Sequence, residues 1–115
     1  MKKMSLVLEV FEAEESVRFL SALSIGLLTS VQNGVMSLDE AERLLFSPRS
    51  SKVLREKGIS PKITELLMDC CELEDVLSLI PSKFDNNLQM VLDKFTDFLR
   101  ESKVRETDLN FLEIK

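Results

Sequence analysis

Apolar residues spaced three and four positions apart run through most of this chain and constrain its fold more than any other feature. The clearest series lies within residues 82–101 and consists of Phe84, Leu88, Val91, Leu92, Phe95, Phe98 and Leu99. Such spacing places apolar side chains on one face of an α-helix. Similar series occupy 14–33 and 61–80, with shorter ones between them. The sequence therefore predicts a mainly α protein, a small bundle of about five helices.

Residues that end and begin helices separate these series. Gly34 and Gly58 follow helical segments at the position where a left-handed residue stops a helix. Ser37 and Glu40 have the spacing of a capping box, and Ser60-Pro61 is a helix start.

Two boundaries are less sharply defined by the sequence. We expect the second helix to end before Ser47-Pro48 and a short helix to run from about 50 to 57. The pattern of 61–80 leaves open whether that helix breaks near Cys71-Glu72.

Both ends of the chain are rich in residues that favour β-strands. Residues 5–11 and 109–115 are the two strand candidates, and a strand needs a partner. The sequence leaves open whether they pair within the chain or across a dimer axis, so α+β is the alternative fold class. We expect a single domain over 1–115, with loosely ordered ends at 1–4 and 103–115.

Composition argues against several classes of function. The 115 residues include no histidine, the commonest general base and transition-metal ligand. There is no glycine-rich phosphate loop and no nucleophile with a visible base. We therefore expect no catalytic site, no metal site and no cofactor, and predict that the protein is not an enzyme.

Cysteine usage and the N-terminus point to one compartment. The two cysteines, Cys70 and Cys71, are adjacent in sequence, and we expect one of them to face the core as a free thiol. The apolar run after Lys2-Lys3 stops at Glu9, unlike a secretory signal. We expect a soluble cytoplasmic protein that does not enter the membrane.

The segment 30–45 resembles the second half of a calcium-binding loop. Asn33-Gly34, Ser37 and Glu40 occupy the required positions, but Thr29 and Val31 stand where the first two carboxylate ligands are needed. Since Thr29 and Val31 also continue a helical series, we interpret the segment as a corner between two helices.

Small residues recur four apart on a second face of the first helix, at Ala22, Gly26 and Ser30. We expect another helix of the same domain to pack on this strip. A contact between two copies in a dimer is the alternative.

Charges are segregated along the middle of the chain. Residues 63–81 contain five acidic residues and no basic one, and these are our candidate partner-binding residues: Glu65, Asp69, Glu72, Glu74 and Asp75. The alternative is a basic patch in the preceding segment that contacts nucleic acid, formed by Arg49, Lys52, Arg55 and Lys57. The net charge of −5 and the lack of aromatic residues among these cations argue against nucleic acid.

Four sequence segments resemble a family of short bacterial proteins known only as a domain of unknown function. The matching segments are Ile25-Gly26-Leu27-Leu28, the run from Ser37 to Pro48, Lys57-Gly58-Ile59, and the run from Glu72 to Pro81. The resemblance extends over about 17–82 and implies a common fold unit and a bacterial source. It carries no known activity.

Size, charge and the lack of catalytic motifs favour one function over the others. We expect a small acidic interaction protein that binds another protein or a second copy of itself. By analogy of size and charge alone, immunity proteins and antitoxins are proteins of this kind.

Overall fold

A computed structural model of the chain describes residues 6–8, 13–102 and 112–114. Its elements are β1 (Leu6–Leu8), α1 (Ala13–Gln32), α2 (Leu38–Leu44), α3 (Pro48–Glu56), α4 (Pro61–Leu79), a 3₁₀ turn (Pro81–Lys83), α5 (Phe84–Glu101) and β2 (Leu112–Ile114). The predicted mainly helical bundle is confirmed.

Glycines end two of the helices as the sequence predicts. Gly34 has φ 73° and Gly58 has φ 77°, values that are strained for residues with a side chain. After α1, the amide of Val35 donates to the carbonyl of Ser30 and the amide of Gly34 to that of Val31. Gly58 and Ile59 repeat this pattern after α3. Both ends are Schellman motifs, which bond carbonyls that the helix leaves unpaired.

Serine side chains cap the two short helices. Ser37 Oγ accepts from the amide of Glu40 at 3.1 Å, as the capping-box pattern predicts. Ser47 Oγ accepts from the amide of Ser50 at 3.2 Å, and Pro48 is the first residue of α3. The predicted start near residue 50 is therefore about one half-turn late. Proline fits the first position because that amide has no helical partner.

The long helix α4 is continuous from Pro61 to Leu79, so no break occurs near Cys71-Glu72. The apolar residues on its core side are Ile63, Leu66, Leu67, Cys70 and Leu73. Cys70 is fully buried, which confirms that one cysteine faces the core.

The helices pack around one hydrophobic core. α5 packs against both α1 and α4, and α3 packs against α4. Asp69 of α4 contacts Lys94 of α5, whereas Lys62 contacts Phe98. Because the earlier residue of α4 contacts the later residue of α5, these two helices are antiparallel. The buried apolar residues are Val17, Leu27, Leu28, Leu38, Ala41, Leu45, Phe46, Ile63, Leu66, Leu67, Cys70, Leu73, Leu88, Val91, Leu92 and Phe95.

Some apolar residues of the predicted helical faces are exposed instead of buried. They are Leu23 of α1, Leu44 of α2, Leu77 of α4, and Ile80, which follows α4. Leu23 lies well to one side of the row formed by Val17, Leu28 and Ser21, because each residue turns the helix by about 100°. The spacing of apolar residues in the sequence therefore predicts a wider core-facing side than these helices have in the structure.

The strip of Ala22 and Gly26 faces solvent. Ala22 is exposed, and apart from the neighbouring residues and backbone of α1 itself, no atom in the described segments lies within 4 Å of a Cβ placed on Gly26. The prediction that another helix packs on this strip is therefore wrong. The buried small polar residues of α1 are Ser16, Ser21 and Ser24, of which Ser21 and Ser24 are fully buried.

The two strands pair with each other in antiparallel orientation. Leu6 lies opposite Ile114, and Leu8 opposite Leu112. The pairing occurs within one chain, which is one of the two arrangements left open by the sequence. The other residues of the strand candidates (5, 9–11, 109–111 and 115) lie outside the described residues, as do 1–4 and 103–108.

Candidate functional site

The five acidic candidates all lie on α4 but do not form one patch. Glu65 and Glu72 are exposed and about two helical turns apart, on nearly the same side, with Asp75 beside them. Glu74 lies about half a turn around the helix from Glu65. The prediction of one five-residue patch is therefore corrected, because helical spacing sends Glu74 to a different side.

Apolar residues share the solvent side of α4 with these carboxylates. Met68 is half-buried, and Leu79 at the end of the helix is 78% exposed. We define the outer face of α4 by the residues that share this side: Glu65, Met68, Glu72, Asp75 and Leu79. α4 is thus apolar on its core side and carries Met68 and Leu79 on its solvent side.

Asp69 lies at the edge between the outer face of α4 and α5. Its Oδ2 is 3.5 Å from Nζ of Lys94, and both side chains are partly exposed. Such an exposed ion pair contributes little to stability. Met90 is exposed and lies one turn before Lys94, so the antiparallel register places it beside the turn of α4 that contains Glu72. The mixed apolar and acidic surface therefore continues toward α5.

The basic candidates are exposed, on α3 and at its C-terminal end. Arg49, Lys52 and Arg55 follow one another at intervals of three residues along one side of the helix, and Arg49 also lines a groove between α2 and α3. Lys57 is the C-terminal cap residue of α3. Three of the four cations therefore lie along one side of α3, and the fourth follows its C-terminal end.

The groove between α2 and α3 has a volume of about 370 Å³. Leu45 and Leu54 supply apolar surface, and Val53 is 45% exposed at its side. Arg43 and Arg49 are the charged residues that line it. We call this feature the α2–α3 groove. Sequence reasoning missed it, since the groove depends on the angle between two short helices.

Two acidic side chains face each other between α2 and α4. Glu42 of α2 faces Glu74, and Glu42 Oε1 is buried without a hydrogen-bond partner among the residues the structure describes. Burial raises the pKa of Glu42 above its ordinary value, and the negative charge of Glu74 raises it further. Burial and the like charge of Glu74 both disfavour the charged form of Glu42.

The cysteine thiols have little nucleophilic character. Burial raises the pKa of the Cys70 thiol far above its ordinary value. Burial also raises the pKa of the half-buried Cys71 thiol, helped by the charge of Glu42. Because the thiolate is the reactive form, this environment disfavours chemistry at either sulfur.

The calcium-like segment is a helical corner, as predicted. Gly34 ends α1, and Ser37 begins α2 three residues later. Asp39 of this segment forms an ion pair with Arg43, 2.9 Å away. Over 13–102 and the two short strands, no group of three histidine, cysteine or acidic side chains is placed to hold a metal ion.

Arg18 makes a contact that sequence spacing does not reveal. Its Nη1 donates to the carbonyls of Leu99 and Ser102 and to Ser102 Oγ, at 3.0–3.1 Å. The guanidinium thus binds the C-terminal end of α5, where the helix dipole favours a cation.

No helix in the described part of the chain has the length and hydropathy required to cross a membrane.

Comparison with known proteins places the chain in a family. The sequence profile of the family described as "Protein of unknown function (DUF3969)" matches residues 11–113. No curated protein and no solved structure matches the chain. The match covers nearly the whole sequence, including the four segments singled out above, and the chain belongs to the DUF3969 family.

Proposed function

We propose that this protein is a non-enzymatic protein-binding module and that the outer face of α4 is its contact surface. The observation that carries the proposal is the composition of this face, which combines Glu65, Glu72 and Asp75 with the exposed Leu79. Apolar side chains supply the affinity in most protein interfaces, while charges set the association rate and exclude wrong partners.

The dimensions of the face suit a protein partner. A helix of 19 residues such as α4 is about 28 Å long. The chemistry of the face calls for a partner that presents apolar side chains surrounded by lysine and arginine. An immunity or antitoxin-type role would use such a surface to cover a basic region of its target.

A charge-reversal experiment tests this proposal. We expect the triple variant Glu65→Lys, Glu72→Lys and Asp75→Lys to lose a protein that the tagged wild-type chain captures stoichiometrically from lysate of its source organism, identified by mass spectrometry. All three side chains are exposed, so the variant should keep the melting temperature of the wild type within a few degrees.

The matched control reverses three exposed acids of α5, by Asp93→Lys, Asp97→Lys and Glu101→Lys. It has the same net charge as the α4 variant and should retain the captured protein. Equal capture by all three proteins would refute the assignment of the outer face of α4, and loss from both variants would show a dependence on net charge alone.

A further inference from the structure

The α2–α3 groove has the charge opposite to that of the outer face of α4. Arg43 and Arg49 line the groove, and none of the residues that form its walls is acidic. Arg43 is paired with Asp39, but its side chain remains 79% exposed. Arg49 is exposed at the first turn of α3, a helix with no acidic residue in that turn. The groove is therefore an apolar depression between two accessible cations.

The end of α4 carries a side chain suited to such a depression. Leu79 is 78% exposed, and Asp75 lies about one turn before it on the same side of the helix. The apolar side chain of Leu79 matches the apolar floor of the groove, which is formed by Leu45 and Leu54. The carboxylate one turn before it matches the arginines that flank the groove. Because Leu79 is exposed to solvent, it does not occupy the groove of its own chain.

We infer that the α2–α3 groove binds the C-terminal part of the outer face of α4 from a second copy of this chain. Leu79 enters between Val53 and Leu54, and the carboxylates of Asp75 and Glu72 meet Arg43 and Arg49. The inference rests on the proposed function, since it uses the same face of α4 as a contact surface. It identifies one partner of that face as the chain itself.

The net charge of −5 does not prevent this contact. At physiological ionic strength, charges farther apart than about 8 Å are largely screened, so the charges at the contact dominate. The two surfaces that meet are different, so after the first contact one copy keeps a free groove and the other keeps a free face. Such a heterologous interface adds further copies until a ring closes or a filament grows.

Two complementary variants test the inference by sedimentation velocity. The groove variant carries Arg43→Glu and Arg49→Glu, and the face variant carries Glu72→Lys and Asp75→Lys. We expect the wild type to form assemblies whose size rises with concentration and falls between about 0.05 and 0.5 M NaCl. Each variant alone should be a monomer, because like charges meet at its only available interface.

An equimolar mixture of the two variants gives the decisive measurement. The wild-type groove of the face variant can bind the wild-type face of the groove variant, and the two charge-reversed surfaces are also opposite in charge. We expect the mixture to regain the assemblies that each variant alone, as a monomer, lacks. Leu79→Ser, a change at an exposed side chain, should also give a monomer, and the α5 control with Asp93→Lys, Asp97→Lys and Glu101→Lys should assemble like the wild type.

A wild type that stays monomeric at about 100 μM in low salt, or a mixture of monomers, would overturn the inference. A monomeric wild type whose α4 charge reversal still abolishes capture of another protein would leave the proposed function intact. Self-assembly without any effect of α4 charge reversal, in sedimentation or in capture, would contradict both.

Discussion

Ser21 and Ser24 are buried polar residues on the core-facing side of α1. Neither hydroxyl has a hydrogen-bond partner among the described residues, although both side chains are fully buried. An unpaired buried hydroxyl costs about 1–3 kcal/mol. Their small size, on the other hand, permits close approach of neighbouring side chains. At the scale of single residues, the core thus contains polar atoms that reduce its stability.

Replacing Ser24 with alanine should therefore stabilise the protein. We expect Ser24→Ala to raise the free energy of unfolding by about 0.5–1.5 kcal/mol, since it removes an unpaired hydroxyl and introduces a better helix former. Denaturant unfolding followed by circular dichroism measures the change. Ser30→Ala on the same helix is the control, because Ser30 Oγ donates to the carbonyl of Gly26 at an exposed position. A loss of stability in Ser24→Ala would mean that its hydroxyl has a partner in solution.

At the scale of elements, helix boundaries were more predictable than contacts between helices. Gly34, Gly58 and Ser37 act on residues within one turn, so their effects can be inferred from local sequence. By contrast, the carbonyls that Arg18 binds belong to residues more than eighty positions away. The facing of Glu42 and Glu74 likewise depends on how α2 packs on α4. Helical spacing alone places Glu74 on a different side of α4 from Glu65. The division of the acidic candidates between two sides of the helix could therefore have been predicted from the sequence.

The contact of Arg18 with the end of α5 predicts a stability effect. We expect Arg18→Ala to lower the free energy of unfolding by about 1–3 kcal/mol, because carbonyls of Leu99 and Ser102 lose a charged donor. Arg18→Lys should recover part of this loss. Arg43→Ala removes an exposed ion pair with Asp39 and should change stability by less than about 1 kcal/mol. Equal effects of the two alanine variants in chemical denaturation would contradict a specific role for Arg18.

At the scale of the whole molecule, opposite charges are separated onto different surfaces. The chain carries a net charge of −5, yet α3 has three exposed cations and one exposed acid, whereas α4 has four exposed acids and one exposed cation. Total charge was available from composition alone. The surfaces on which the charges lie, and the groove beside Arg43 and Arg49, required the arrangement of α2, α3 and α4 in space.

Folding stability should depend on pH through Glu42. Its pKa is raised in the folded protein above the ordinary value of 4.5, mainly by burial and then by Glu74, with Asp39 adding a smaller effect. Above pH 4.5 the folded state therefore binds more protons than the unfolded state, and this group lowers stability as pH rises toward the folded pKa. We expect Glu42→Gln to raise the melting temperature at pH 7 and to change it much less at pH 4.

Thermal unfolding at the two pH values, compared with Glu65→Gln as an exposed control, measures the difference. The same change in melting temperature for Glu42→Gln at both pH values would show that Glu42 has the same pKa in the folded and unfolded states.

The pairing of β1 with β2 has a mechanical consequence. Leu6 lies opposite Ile114, so the first residue of β1 and the last residue of β2 lie at the same end of the strand pair. A force applied between the two ends would load the hydrogen bonds one after another, starting beside Leu6, rather than all together. The strand pair would peel apart at low force, and the helices would bear tension only after it had opened.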